Sequence, residues 1–336
     1  MLGTEDEHSY DLLFVMDKVD KNWILGAICR EIANWFPGKV GFYYGEFYDV
    51  SPFWPWPIKL PKAKAYFFAQ EVFLLQCLKA SPTVWPRPKY VWYTHPQELG
   101  PTQELVFALN RSTKIFATCS LFVESLARQG VQPEKLTCVL GAADSDFFHP
   151  HQRSSDGLVG FCTAFYERKN PGLILELVKI LPNRSFILIG RDWHRYTRFG
   201  ELKELPNFQY VNVPYSEYPK YYQEMSVFVS ASNLEGGPIP LVEAMMSNVV
   251  PVAGRTGFAP DLINHGRNGF LFDVGSSAKL IGDLITQAFA LETDVRATVE
   301  HLNWRNFSLQ INAVMAGSVA DNARRTSAHS QASPMR

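Results

Sequence analysis

The sequence lacks the signatures of several common classes of α/β protein. Its first apolar run, residues 11–16, is followed by DKVDKN, where a dinucleotide-binding fold would carry the glycines of G-x-G-x-x-G. This absence argues strongly against a nicotinamide cofactor. No two cysteines have the C-x-x-C spacing of a metal or redox motif. The five cysteines are far apart in the chain, which is typical of buried, reduced thiols in a cytosolic protein.

Excess charge of one sign and long apolar runs are also lacking. The net charge is −1 over 336 residues, so the composition gives no reason to expect nucleic-acid binding. No apolar run approaches the length of a membrane span, and the first ten residues are acidic and polar, unlike a signal peptide. We therefore expect a cytoplasmic protein, while a peripheral contact with a membrane surface stays open.

Short apolar runs alternate with helix-forming segments along most of the chain, which is the pattern of α/β domains. A chain of 336 residues is long enough for two such domains of ordinary size. The polar segment at residues 151–157 is a natural hinge between them. From residue 317 the composition turns to serine, alanine, arginine and asparagine, and we expect disorder there.

Residues 232–272 are the most informative stretch of the chain. An apolar strand pattern at residues 226–231 leads into a loop rich in glycine and proline, and a helix pattern follows with Pro240 in its first turn. Such a strand–loop–helix junction presents free backbone N–H groups to an anion. The loop also carries a carboxylate at each end, Glu235 and Glu243. Carboxylates accept hydrogen bonds from hydroxyls, so the ligand is expected to carry sugar or ribose groups beside its phosphate.

This stretch resembles the retaining GT-B glycosyltransferases of the large family four. Glu235 and Glu243 match the E-x7-E motif of that family. The resemblance implies that Glu235 contacts the donor sugar, that the loop amides bind the diphosphate, and that Glu243 holds the ribose of the nucleotide. The donor-binding residues that it implies in the loop are Gly236, Gly237, Ile239 and Pro240. Pro238 departs from the family pattern and removes one N–H group from this loop.

A second part of the resemblance lies at residues 168–171, which read Arg-Lys-Asn-Pro ahead of a helix pattern. In the family, a lysine at this point binds the donor phosphate, which implies that role for Lys169. The partner arginine of the family is absent, because the chain has Phe161 at that position. We expect Arg168 to replace it. The structural alternative for both cations is a solvated turn.

Three further residues are implied with less support from their surroundings. His95 follows a buried strand pattern at residues 90–93 and resembles the family histidine that touches the donor sugar, so we assign it a catalytic role with Glu235. Gly26, in the first βα turn, is a donor-site candidate, with close helix packing as an equal alternative. Arg191 follows another strand pattern, where the family contacts the nucleotide base.

Asp144-Ser145-Asp146 has the form of a DxD metal motif. We reject that interpretation, because a DxD clamp needs a metal-bridged diphosphate beside it and this pair lies in the predicted linker. The resemblance therefore implies no metal and no other cofactor. The diphosphate would be neutralised by the helix N-terminus and by Lys169 and Arg168.

Together these observations predict an α/β protein of the GT-B type, with two Rossmann-like doubly wound domains facing a central cleft. Residues 1–150 would form the acceptor-side domain, 151–300 the nucleotide-sugar domain, 301–316 a closing helix returning to the first domain, and 317–336 a disordered tail. The predicted activity is retaining, metal-independent transfer from a nucleotide sugar to a sugar, lipid-linked or small-molecule acceptor. Two alternatives remain: a degenerate GT-B protein that binds nucleotide or glycan without turnover, and a GT-B epimerase, for which no set of extra acids is evident.

Overall fold

The computed structural model describes residues 10–48, 58–94 and 102–331, with side chains as far as Ser318. The chain divides into two compact units. The first comprises the residues up to Val139 together with those from Arg305 onward, and the second comprises Leu140–Trp304. The division therefore falls at Val139 rather than at residue 150, and the end of the chain belongs to the first unit.

The first unit is a six-stranded sheet in which every pair of neighbouring strands is parallel. Its strands are β1 (Tyr10–Asp17), β2 (Val40–Gly45), β3 (Ala63–Phe68), β4 (Lys89–Tyr93), β5 (Lys114–Ala117) and β6 (Leu136–Cys138). Its described helices are α1 (Ile24–Asn34), α2 (Glu71–Ala80), α3 (Gln103–Asn110) and α4 (Ser120–Arg128). The order across the sheet is β2-β1-β3-β4-β5-β6.

The second unit is also a parallel six-stranded sheet. Its strands are β7 (Leu158–Cys162), β8 (Phe186–Ile189), β9 (Phe208–Val211), β10 (Met225–Ser230), β11 (Val250–Gly254) and β12 (Phe270–Phe272). Its helices are α5 (Pro171–Ile180), α6 (Phe199–Lys203), α7 (Tyr218–Tyr222), α8 (Ile239–Met246), α9 (Ala259–Leu262) and α10 (Ala278–Phe289). The order across the sheet is β12-β11-β10-β7-β8-β9. A last helix, α11 (Trp304–Gln331), leads into the first unit.

Each sheet contains one point where the strand order reverses. In the first sheet β1 lies between β2 and β3, and in the second β7 lies between β8 and β10. Ligands of doubly wound α/β folds bind beside such a point, at the carboxyl ends of the strands. The prediction of two Rossmann-like doubly wound units is confirmed.

The strands form because their sequences are almost continuously apolar. All six residues of β10, MSVFVS, are buried, as expected for a central parallel strand covered by helices on both faces. Of the five cysteines, which carry no disulfide, four are buried and Cys138 is partly exposed. No helix in the described residues is both long and apolar enough to cross a bilayer.

One local feature differs from the sequence-based expectation. Helix α11 continues to Gln331, where we expected disorder from residue 317. That segment has few large apolar residues, but its alanines and arginines are strong helix formers.

Candidate functional site

The candidate site lies at the carboxyl ends of β7 and β10, the reversal point of the second sheet. A pocket that is open to solvent is lined there by the ends of these strands and by the loop that follows β10. Glu235 and Pro238 of that loop and Pro240 in the first turn of α8 line it, and Lys169 approaches from the turn before α5. The fold therefore brings together the two segments that the sequence singled out.

Glu235 is the charged centre of this pocket. Its side chain is buried, with the residue only 5% exposed, and its two carboxylate oxygens face different cations. Oε1 forms an ion pair with Nζ of Lys169, and Oε2 lies 3.3 Å from Nη1 of Arg168. The predicted cations are thus the partners of the predicted glutamate, rather than residues of a solvated turn.

Although burial raises the pKa of the Glu235 carboxyl, the charges of Lys169 and Arg168 outweigh it and hold that pKa below its usual value. Glu235 is therefore ionised at neutral pH. With two cations against one carboxylate, the cluster keeps one positive charge beside the N-terminus of α8, which also favours an anion.

Arg168 and Lys169 are positioned by a short 3₁₀ turn, Glu167–Lys169, that precedes α5. Asn170 follows in the left-handed region at φ 56°, and its side chain accepts the N–H of Leu173, so it caps α5. The turn is tied to the Glu235 loop by two hydrogen bonds. The N–H of Asn233 donates to the carbonyl of Arg168 at 2.8 Å, and Arg168 Nη1 donates to the carbonyl of Leu234 at 2.9 Å.

The predicted phosphate-binding residues lie immediately after Glu235. Gly236 and Gly237 form the loop, and Ile239 and Pro240 begin α8, with Pro238 as the capping residue. The N-terminus of a helix leaves backbone N–H groups without intrahelical acceptors, and in α8 the N–H of Leu241 donates to the carbonyl of Pro238 at 2.8 Å. Pro238 and Pro240 supply none of those groups.

Two residues that the sequence analysis missed support the loop from β11. The backbone N–H of Glu235 donates to Oγ1 of Thr256 at 2.9 Å. Gly257 follows with φ +56°, and a Cβ added there would lie 2.6 Å from the carbonyl oxygen of Gly236. The sequence could have indicated this support only through a glycine shortly after the β11 strand pattern. Other glycines follow strand patterns in this chain, so that signal does not single out Gly257.

Glu243 lies one turn into α8 and is buried. Its Oε1 accepts a hydrogen bond from the hydroxyl of Tyr215 at 2.7 Å, and its Oε2 accepts one from the hydroxyl of Tyr222 at 3.0 Å. Burial raises the pKa of the carboxyl to about 7, although both tyrosine hydrogen bonds act to lower it. Neither tyrosine was assigned to the site from the sequence.

Arg191 and Gly26 are not part of the pocket lining. Arg191 directly follows Gly190 at the end of β8, is exposed, and has Nε 3.6 Å from the Asp192 carboxylate. Gly26 lies in α1 of the first unit, where a Cβ would collide with the carbonyl oxygen of Lys21; close packing is sufficient to explain this glycine. Its predicted donor role stays a prediction. His95 lies outside the described residues.

Phe161, at the position where the resemblance implies an arginine, is buried and stacked on Phe186 with ring centroids 6.0 Å apart. The DxD-like pair also has a local explanation. Oδ1 of Asp144 accepts the N–H groups of Asp146 and Phe147, which closes a turn. Among the described residues, no group of three or more histidine, cysteine, aspartate or glutamate side chains is arranged to hold a metal ion.

Two doubly wound parallel units in one chain define the GT-B fold, and solved glycosyltransferase structures share it. HepE of Anabaena, in complex with UDP, superposes with a TM-score of 0.73 at 16% identity, covering 91% of this chain and all of that one. The lipopolysaccharide outer core galactosyltransferase WaaB gives a TM-score of 0.72 at 12% identity, covering 91% of this chain and 99% of that one.

Comparison of sequences shows a family similarity in the second unit. Residues 144–301 match the family model described as Glycosyl transferases group 1, so the second unit is similar to that family and the chain as a whole has the GT-B fold. A curated relative is a subunit of the phosphatidylinositol N-acetylglucosaminyltransferase of Arabidopsis thaliana, 24% identical over 151 residues. That alignment covers 41% of this chain and only about a third (34%) of the relative's length.

Proposed function

We propose that this protein is a retaining glycosyltransferase that moves a sugar from a nucleotide-sugar donor to a hydroxyl-bearing acceptor without a metal ion. The observation that carries the proposal is the ionised Glu235, paired with Lys169 and Arg168 at the carboxyl ends of β7 and β10. This cluster combines two phosphate-binding cations with a hydroxyl-binding carboxylate. HepE, which shares the fold, has also been solved with UDP-glucose, a donor that carries both chemical groups.

In this mechanism the donor diphosphate takes Lys169 and Arg168 as partners, and Glu235 is left to accept hydrogen bonds from hydroxyls of the donor sugar. The bond between the anomeric carbon and the diphosphate oxygen breaks, while the acceptor oxygen bonds to the same carbon from the same face. The acceptor proton passes to the departing diphosphate. The protein orients both substrates and stabilises the leaving charge through fixed cations and the α8 N-terminus.

A GT-B protein that binds nucleotide without turnover is the second candidate. Two observations favour it. Pro238 removes an N–H group from the phosphate loop, and Phe161 is part of the core rather than a third cation. The test that separates the two candidates is incubation with a panel of UDP-, GDP- and ADP-sugars and detection of free nucleotide and glycosylated product. The anomeric configuration of the product, read by NMR, decides between retention and inversion.

Glu235→Gln is the variant that tests the role of the charged centre. Loss of the carboxylate should lower turnover by roughly a hundredfold, as for other fixed electrostatic contacts in active sites. Affinity for the bare nucleotide should be kept or improved, because Lys169 and Arg168 lose their competing partner. Glu224→Gln, at an exposed position of the same unit, is the control. Wild-type turnover in Glu235→Gln would contradict the assignment.

His95 is proposed to act with Glu235 on the donor sugar. His95→Ala should therefore depress turnover far more than it weakens nucleotide affinity, which is the pattern of contacts made to the sugar and the transition state. Calorimetry with the nucleotide and transfer assays with the donor measure the two effects separately. A variant that transfers sugar at the wild-type rate would make His95 a structural residue.

Activity should survive EDTA. Lys169, Arg168 and the α8 N-terminus supply positive charge next to Glu235, and Asp144 is engaged in its own turn. Turnover measured before and after chelation, with magnesium and manganese added back, checks this. Loss on chelation with recovery on adding either metal would show that the charge argument is wrong.

A further inference from the structure

The carboxylate of Glu243 has two tyrosine partners that differ in how firmly they are held. Tyr222, on α7, is 0% exposed, and its ring packs against Phe148 and Phe228 with centroids 5.3 and 6.3 Å away. Its hydroxyl donates to Oε2 of Glu243 at 3.0 Å. A side chain enclosed in this way has no free rotamer to move into.

Tyr215 differs from Tyr222 in its exposure to solvent and in its packing. It begins the short 3₁₀ turn Tyr215–Glu217 and is 51% exposed, yet its hydroxyl reaches Oε1 of Glu243 at 2.7 Å. Its ring lies among Phe147, Phe148 and Tyr218, at centroid distances of 5.5, 6.0 and 5.2 Å. Because Tyr215 is half exposed and Tyr222 is fully enclosed, moving the Tyr215 hydroxyl away from Glu243 disturbs less packing than moving that of Tyr222.

The carboxylate of Glu243 faces hydroxyl and thiol groups, and in the part of the chain that the structure describes no cation contributes to its pKa. Tyr215 and Tyr218 approach it from the segment around α7, and Cys162 approaches from the end of β7. A buried carboxylate without a cation depends on hydroxyl donors. A ligand group that bonds to this carboxylate must therefore be a hydrogen-bond donor such as a hydroxyl, and at Oε1 it meets the hydroxyl of Tyr215, which already donates there.

We propose that Tyr215 is the exchangeable partner of Glu243, giving up Oε1 to a ribose hydroxyl of a nucleoside diphosphate, while Tyr222 is the positioning residue that holds the other oxygen in place. The inference rests on the proposed function, because it takes the nucleotide of a sugar donor as the ligand. It predicts that removing the hydroxyl of Tyr215 and removing that of Tyr222 change the affinity for the nucleotide in opposite directions, although both hydroxyls bond to the same carboxylate.

The test is the affinity of purified protein for UDP, measured by calorimetry at about pH 9, where the carboxyl is ionised. Tyr215→Phe removes the competing hydroxyl and should bind UDP about five- to tenfold more tightly, tenfold being about 1.4 kcal/mol. Tyr222→Phe removes the fixed orientation and should bind UDP about tenfold more weakly. Both changes keep the ring, and circular dichroism checks that the variants are folded.

A ligand without ribose hydroxyls is the matched control. With 2′,3′-dideoxy-UDP the gain from Tyr215→Phe should disappear, because no ligand hydroxyl takes the place of the tyrosine hydroxyl. The pH dependence gives a readout that a purely structural role would not change. Removal of the Tyr215 hydrogen bond raises the pKa of Glu243 further, so the rise of UDP affinity with pH should be centred higher in Tyr215→Phe than in wild type, and it should be absent with the dideoxy ligand.

The outcomes separate this inference from the proposed function. Tighter UDP binding by Tyr215→Phe, lost with the dideoxy ligand, supports the exchange. Wild-type protein that binds UDP, with Tyr215→Phe binding equally or more weakly, overturns the exchange and leaves the proposed function intact. Wild-type protein that binds none of UDP, GDP or ADP overturns both. If Tyr222→Phe does not fold, the sign of the Tyr215→Phe effect still decides the proposal.

Discussion

Three buried glutamates show how one residue type takes on different properties in different surroundings. Glu235 has two cations and stays ionised. Glu243 has two tyrosine hydroxyls and titrates near neutrality, with a pKa of about 7. Glu71, at the start of α2 in the first unit, is 4% exposed, and burial raises its pKa to about 7, with its own backbone N–H as the opposing contact. Partners rather than burial decide which of these carboxyls carries a charge at pH 7.

Glu71→Gln tests this reasoning through stability. The folded-state pKa of Glu71, about 7, lies above its unfolded value of 4.5. The folded state therefore holds more protons, and stability falls as the pH rises from about 4.5 to about 7. The full shift of the Glu71 pKa corresponds to about 3 kcal/mol. The free energy of unfolding of Glu71→Gln should therefore equal that of wild type below about pH 4.5 and exceed it by up to about 3 kcal/mol above about pH 7.

Urea unfolding across this pH range measures the difference between the two proteins, which cancels the parallel contribution of Glu243. Glu124→Gln, an exposed glutamate of the same unit, is the control and should show no pH-dependent difference. A Glu71→Gln protein that is less stable than wild type at every pH would show that the carboxylate has a stabilising partner.

At the scale of single elements, the strands and the central loop could be predicted because their signals are local. The apolar pattern of β10, the glycines after it and the helix pattern of α8 are consecutive in the chain. Glu235 and Glu243 both lie in this continuous segment. The supports of the loop come from elsewhere. Tyr215 reaches Glu243 from the turn before α7, 28 positions away, and Tyr222 reaches it from α7 itself, 21 positions away.

The same limit applies to Thr256 and Gly257. Thr256 contacts the N–H of Glu235 from 21 positions away, and nothing in its own surroundings marks it. Contacts between the loops that follow neighbouring strands depend on the strand order, which places β11 beside β10. The sequence pattern predicts parallel strands, but no single segment indicates the order in which those strands pair.

Gly257→Ala tests whether the supporting loop holds Glu235 in place. At φ +56° an alanine is strained, and its Cβ would meet the carbonyl oxygen of Gly236 at 2.6 Å. We expect a loss of stability of about 1–2 kcal/mol from the backbone conformation alone, and a loss of turnover of roughly a hundredfold from displacement of the Glu235 loop.

Gly266→Ala separates these two effects. Gly266 also has a positive φ, +77°, but a Cβ there has no heavy atom within 4 Å. It should lose similar stability in urea unfolding and keep wild-type turnover. Equal turnover losses in the two variants would mean that backbone strain, and not the contact with Gly236, explains the result.

At the scale of the whole chain, the two sheets follow different strand orders. The first has its reversal beside β1 and β3, and the second has it beside β7 and β10. Helix α11 begins where the second unit ends and continues within the first. It contributes Phe307, Ile311 and Met315 to the core of the first unit. The first unit is therefore completed by a segment that follows the second in the chain.

Phe307→Ala tests that dependence. Phe307 is 4% exposed and packs edge-on against Trp92 of β4, with ring centroids 5.4 Å apart. Truncation of a buried phenylalanine costs about 3–5 kcal/mol, and the loss should fall on the first unit. Leu309→Ala, at a position that is 41% exposed on the same helix, is the control and should change stability by less than about 0.5 kcal/mol.

Hydrogen exchange distinguishes the units: amide protection should fall in β1, β3 and β4 and stay unchanged in β7, β10 and β11. Equal loss of protection in both sheets would show that the two units unfold together, and that α11 does not stabilise the first one selectively.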